Sequence, residues 1–144
     1  MNNQRQGELR ITSEADIVLA RKAVRNAATA LGFGITDVTR IVTAASELTR
    51  NIYQYAGSGL MRWHDLSQGS KVGLELRFED KGPGIPDVGQ AMQMGFSTGK
   101  GLGLGLPGAK RLMDEMTINS QAGQGTTVAV RKWLKKYPCL PPPW

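Results

Sequence analysis

Apolar positions recur at helical spacing twice in the first third of the chain, and at a spacing of two in later stretches. Ile17, Ala20, Val24, Ala27 and Leu31 form one stripe of a helix that ends near Gly32, with Arg21, Lys22 and Arg25 opposite. Ser13 and Asp16 stand three apart before it, the spacing of a capping box. A second helix is expected from an N-cap at Thr36, through Val38, Ile41, Val42, Ala45, Leu48 and Ile52, to about Ala56, where Gly57-Ser58-Gly59 breaks it. Glu8 to Ile11 and Leu60 to His64 read as short strands, the second a weak one. Val72 to Glu79 reads as a strong strand, because Val72, Leu74, Leu76 and Phe78 alternate with Gly73, Glu75, Arg77 and Glu79. Gly82 to Pro86 is a turn, Val88 to Met94 a short helix, and Gly95 to Gly105 a glycine-rich loop without apolar periodicity. Pro107 suits the first turn of a helix burying Leu106, Ala109, Leu112, Met113 and Met116, before strands at Met116 to Ser120 and Thr126 to Trp133. This order predicts an α+β fold, a two-layer α/β sandwich in which helices cover one face of a mixed sheet.

Length and composition narrow this picture. At 144 residues the expectation is one domain over residues 1–137, followed by an irregular proline-rich tail over 138–144. No apolar run approaches the roughly 20 residues of a membrane span, and the polar opening Met1 to Gly7 lacks the apolar stretch of a secretory signal, so the expected location is cytoplasmic. The single cysteine, Cys139, excludes an intrachain disulfide and a cysteine-rich zinc site. The single histidine, His64, is read as a surface or sheet-edge residue. Eighteen Lys plus Arg against twelve Asp plus Glu give a net charge of +6, which favours nucleotide, an acidic protein or nucleic acid as partner. The densest basic stretch, Arg131 to Lys136, is equally a solvated edge or a docking surface.

Four short stretches carry candidate chemistry. Glu47 and Asn51 are four residues apart on the second helix and share a face. Mg²⁺ takes one or two protein oxygens beside substrate phosphates, so the Asn51 carboxamide is a candidate ligand and Glu47 is left for proton chemistry. Asp80 ends the strongest strand and is followed by Gly82 and Gly84, which places a carboxylate where backbone can approach a ligand. An acceptor-only group selects adenine through its exocyclic amino group, for which guanine has no matching donor. Gly101-Leu102-Gly103-Leu104-Gly105 supplies amides for phosphate oxygens, with Lys100 beside the terminal phosphates. Thr126, after Gly125, can hydrogen-bond Asp80 or a water that bridges to adenine. This is no Walker loop: three residues separate Gly95 from Gly99 where four are needed, and Gly101 stands where Ser or Thr should follow the lysine. Gly103 to Gly108 matches the dinucleotide fingerprint in letters, but no strand leads into it.

The order and spacing of the four boxes resemble the ATP-binding domain shared by type II topoisomerases, mismatch-repair ATPases, heat-shock chaperones and histidine kinases, the GHKL or Bergerat fold, over about Glu8 to Lys132. Ser46 to Tyr53 and Gly95 to Asp114 are similar to the RsbT-type serine/threonine kinases of bacterial partner-switching, stress-signalling systems. The resemblance implies a mostly antiparallel sheet, ATP and Mg²⁺ as cofactors, Glu47 as general base, Asn51 as Mg²⁺ ligand, Asp80 as adenine anchor and Thr126 as its helper. It further implies ATP contacts at Gly82, Gly84, Ile85 and Gly101 through Gly105, and γ-phosphate contacts at Arg50 and Lys100. The implied partners are a STAS-domain antagonist that is phosphorylated, a downstream regulator such as a phosphatase that is activated on release, and a scaffold complex. Three other functions compete with this one. A related anti-sigma factor with kinase activity uses the same nucleotide site. A nucleotide-gated binding module would not need Glu47, and a nucleic-acid-binding domain would need a groove-reading motif that the chain lacks.

Overall fold

The computed structural model describes residues 5–84 and 106–135. Along the chain these form β1 (Gly7–Ile11), α1 (Ala15–Ala30), α2 (Ile35–Ala56), β2 (Gly59–Asp65), β3 (Gly73–Asp80), α3 (Leu106–Leu112), β4 (Glu115–Gln121) and β5 (Gly125–Trp133). The sheet order is β1-β2-β3-β5-β4. Every pairing is antiparallel, so the α+β sandwich is as expected while the sheet, among the described residues, holds no parallel neighbours. The reason is local for β4 and β5: three residues join them, enough for a hairpin and far too few for a parallel crossover. The expected helix at Val88 to Met94, the loop at Gly95 to Gly105 and the tail at 138–144 lie outside the described residues.

Strand register decides which side chains meet the helices. Met61 pairs with Phe78, Phe78 with Val128 and Leu76 with Val130, and all of these are at most 6% exposed. They join Ile17-side and Ile41-side residues of the helices, among them Val24, Ala27, Ile41, Ala45, Leu48 and Ile52, in one core. The segment read as a weak strand is a regular one of seven residues, paired on both sides, because its single fully buried apolar residue, Met61, lies between β1 and β3. His64 lies on this strand one residue past its pairing with β1, and its side chain is 45% exposed, as a surface position requires. Its Nδ1 lies 3.8 Å from Glu75 Oε1 on the face away from the helices. Glu75 is 7% exposed there, which is tolerable because Arg131 Nε donates to Glu75 Oε2 at 2.8 Å.

Both expected N-caps are displaced. The capping box forms by half: α1 begins after Glu14 with no side-chain cap, while the Asp16 carboxylate reaches back to accept the Thr12 N–H at 2.8 Å and the Ser13 N–H at 3.0 Å. At α2 the N-cap is Gly34, and Thr36 lies inside the first turn. The Phe33 N–H bonds Ala28 O and the ring is 5% exposed, so α1 closes late and only Gly34 remains before α2 starts.

The bond from Thr12 N–H, chief among several, holds the Asp16 carboxyl below the usual aspartate value of 3.8, and desolvation opposes it. A depressed carboxyl contributes stability that is present above its unfolded value and lost as pH falls through the folded one. An NMR titration should therefore place the Asp16 midpoint below 3.8. A midpoint at or above that value would mean that the reach-back bonds do not persist in solution.

Candidate nucleotide site

The site is assembled at one end of the sandwich, from the C-terminal half of α2, the end of β3 and the start of β5. Leu48 and Ile52 are each 2% exposed in the core, and this fixes the rotation of α2. Glu47 and Asn51 then fall together on its half-buried flank. The Glu47 Oε1 atom lies 3.5 Å from Arg50 Nη1, with the two side chains 40% and 45% exposed, so this pair is screened by water and costs little to break.

Asp80 is the last residue of β3, half-buried, and its neighbours are backbone. Its Oδ1 accepts the Gly82 N–H at 2.8 Å, which holds the carboxylate in a tight turn and leaves Oδ2 for another donor. A Cβ on Gly82 would lie 2.7 Å from Ala56 Cβ, so this turn sits directly on the last residue of α2. Gly84 has φ +81°, and a Cβ there would lie 2.5 Å from Gln121 O. The Gly123 N–H donates to Pro83 O at 2.9 Å, so the same turn is also strapped to the β4–β5 hairpin. Glycine backbone at Gly82 thus lies beside the carboxylate and against the last residue of the helix that carries Asn51.

Thr126 is paired across the ladder with Asp80 and is 9% exposed. Its hydroxyl does not take the expected bond to Asp80; it lies 2.9 Å from the Ser120 hydroxyl. Ser120 pairs with Thr126 in the register of β4 against β5, and sequence reading did not single it out. The signal available was the hairpin register, which places two hydroxyls opposite each other once the turn at Gly123 is fixed. Asp80 is joined to Gly82 by a hydrogen bond and to Thr126 in the ladder, Gly84 packs on Gln121, and Glu47, Arg50 and Asn51 lie along α2, whose last residue, Ala56, stands against Gly82; Ile85, Lys100, Gly101, Leu102, Gly103, Leu104 and Gly105 lie outside the described residues. A groove of about 470 Å³ elsewhere, between α1 and α2, is lined by Arg21, Arg25, Phe33, Ile35 and Val42 among others, and by none of the site residues. No helix among the described residues is long and apolar enough to cross a membrane.

Comparison with known proteins agrees with this geometry. Residues 36–136 match the family described as histidine kinase-, DNA gyrase B-, and HSP90-like ATPase. The chain is 54% identical to the serine/threonine-protein kinase RsbT of Bacillus subtilis (strain 168) over 127 residues, which is 88% of this chain and 96% of that protein. It is 32% identical to the anti-sigma F factor of Thermoanaerobacter sp. (strain X514) over 121 residues, 80% of this chain and 83% of that protein. With the anti-sigma F factor of Anoxybacillus flavithermus (strain DSM 21510 / WK1) it shares 34% identity over 113 residues, 74% of this chain and 76% of that protein. A carboxylate cradled by glycines at the end of β3, two polar side chains on the facing helix and these likenesses lead to one assignment: the chain belongs to the histidine kinase-, DNA gyrase B- and HSP90-like ATPase family, as an RsbT-type serine/threonine kinase.

Proposed function

We infer that this protein transfers the γ-phosphoryl group of ATP to a serine or threonine of a small STAS-domain antagonist and, once released from it, binds and activates a downstream regulator such as a phosphatase. The observation that carries the reading is the 54% identity that spans 96% of RsbT. The residues fit the ligand: the Asp80 carboxylate has one oxygen committed to Gly82 and one left to accept the adenine amino group, beside backbone that a side chain at Gly82 would crowd. The hydroxyls of Thr126 and Ser120, 2.9 Å apart, would supply a donor to the base or to a bridging water. Asn51 offers its carboxamide oxygen to Mg²⁺, which when bound neutralises phosphate charge. Arg50, Lys100 and the amides of Gly101 through Gly105 would hold the phosphates, and Gly84 and Ile85 would complete the nucleotide's surroundings. Glu47 receives the proton from the substrate hydroxyl as its oxygen bonds to the γ-phosphorus and the bond to ADP breaks.

Transfer of label from [γ-³²P]ATP to a STAS-domain protein encoded near this chain tests the reading. Label should pass to the partner with the native chain and fall to background with Asn51→Ala. No transfer by a chain that binds ATP tightly would move the protein to a nucleotide-gated binding module. The relatives at 32–34% identity favour a second reading, an anti-sigma factor with kinase activity, and co-purification of a sigma subunit would select it.

A further inference from the structure

The groove of about 470 Å³ between α1 and α2 belongs to none of the machinery above, and its size is that of an ordinary ligand cleft, about 300–1,000 Å³. Residues 31–34 join the two helices, and so short a connection makes them antiparallel neighbours. Arg21, Arg25 and Thr29, four apart on α1, form one wall. The floor is apolar: Phe33, Val38 and Val42 are 5%, 8% and 5% exposed, and their outer edges line the groove. Ile35 stands on the other wall with 84% of its surface in water, and Val18, one turn before Arg21, is 64% exposed. An apolar floor rimmed by charge is the make-up of an interaction site, which apolar residues scattered singly over a surface do not have.

The arginines at the rim lack carboxylate partners. Asp16, the single acid of α1, is turned back onto the Thr12 and Ser13 N–H groups. Asp37, in the first turn of α2, lies 3.1 Å from Arg40 Nη1 and 3.8 Å from Nζ of Lys132, a lysine only 6% exposed. Among the described residues neither Arg21 nor Arg25 is in an ion pair. In a chain of net charge +6 such a groove complements an acidic partner. A second copy in two-fold contact here would set Arg21, Lys22 and Arg25 against their own copies, which like charges oppose. Position then narrows the choice of partner. Thr43, the last α2 residue of the groove, stands four residues before Glu47, so the two side chains share a flank one turn, about 6 Å, apart. Antiparallel helices put Arg21 at this same end of the groove and Thr29 and Ile35 at the other. A protein seated here extends toward the carboxylate assigned to the hydroxyl proton.

We propose that this groove docks the protein substrate: an acidic, amphipathic helical segment of the phosphoacceptor protein lays aliphatic side chains over Phe33, Val38 and Val42, pairs carboxylates with Arg21 and Arg25, and so presents that protein's serine or threonine to Glu47. This rests on the reading above, in which a STAS-domain protein carries the hydroxyl. The test measures transfer of radiolabel from ATP to the STAS-domain protein encoded near this chain as its concentration is raised, with ATP affinity by calorimetry alongside, for the native chain, Arg25→Lys, Arg25→Glu and Ile35→Asp. Arg25 and Ile35 are exposed, so these variants should fold as the native chain does. Arg25→Glu and Ile35→Asp should each raise KM for the protein substrate by about 10-fold or more, with kcat within about 3-fold and ATP affinity within about 2-fold. Arg25→Lys, which keeps the cation, should stay within about 3-fold of the native KM, and added salt should raise KM more steeply for the native chain than for Arg25→Glu. Native KM in both Arg25→Glu and Ile35→Asp overturns the docking role and leaves the STAS reading standing. A parallel loss of ATP affinity makes the two residues supports of the fold and overturns it too. Sedimentation of the same chains tests a second copy as occupant: a native dimer that Ile35→Asp turns into a monomer with unchanged KM gives the groove to self-association and overturns the proposal. Native chain that binds ATP but passes no label refutes the STAS reading, and the docking role with it.

Discussion

Glu47→Gln should leave a folded chain that binds ATP as the native one does and turns it over about 100- to 1,000-fold more slowly. General-base removal costs about 10²- to 10⁴-fold across enzymes. The lower part of that range applies here because phosphoryl transfer runs through a loose transition state, in which positioning and charge stabilisation supply most of the acceleration. The fold is spared, since the pair lost with Arg50 is 3.5 Å long and more than a third exposed at each end. The loss should therefore appear in kcat while KM for ATP stays within about 3-fold, the pattern of a group needed only in the transition state. Asp80→Ala should show the reverse pattern. On the proposed role of Asp80 it removes a charge-assisted hydrogen bond to the base, worth about 1.5–3 kcal/mol, and so should raise KM by roughly 10- to 100-fold. A Glu47→Gln chain that keeps native kcat would show that the hydroxyl proton leaves by another route, and Glu47 would return to being a polar residue on a helix flank.

Gly125→Ala should destabilise the protein by roughly 2–5 kcal/mol, combining the cost of a left-handed backbone with that of overpacking. Gly125 has φ +114°, and a Cβ there would fall on Asp80 O and lie 2.8 Å from Lys81 Cα, both of them backbone atoms with nowhere to go. The Asp80–Thr126 pair at the end of the β3–β5 ladder would have to open, displacing the Asp80 carboxylate with it. A thermal melt should show Tm falling by about 10 °C, together with loss of ATP affinity at temperatures where the chain is still folded. Gly123→Ala is the internal control. It shares a positive φ, +76°, but has nothing within 4 Å of a new Cβ, so it should cost only about 1 kcal/mol and leave ATP binding intact. Equal effects at the two glycines would mean that backbone strain alone, and not contact with Asp80, explains why glycine stands at 125.

The difference between these two glycines illustrates why only part of the site was legible in the sequence. A Gly-Thr pair at the head of a strand says nothing about what lies opposite it, since the partner backbone comes from a strand 45 residues earlier. The α2 face was legible, because Glu47 and Asn51 meet through helix periodicity alone and the apolar stripe of Leu48 and Ile52 fixes which way they point. The caps were less so. Ser13 and Thr36 are good cap residues in isolation, but the burial of Phe33 and the reach of Asp16 decide where the helices begin. For Thr126 the sequence offered Asp80 or a bridging water as partner, whereas the hydroxyl it lies beside, that of Ser120, depends on the hairpin register.

Sequence by itself determined the α+β layering, the four boxes and their order, the helical face that joins Glu47 to Asn51, and the carboxylate at the end of β3, because each follows from periodicity or from neighbours a few residues apart. Tertiary structure alone decided that β1 pairs with β2 and β3 with β5, that Gly125 must be bare against Asp80, and that Lys132 lies inside. Each of these depends on atoms far apart in the chain that packing brings into contact, and a lysine in a basic run becomes a buried tie only when a helix end and two carboxylates arrive around it.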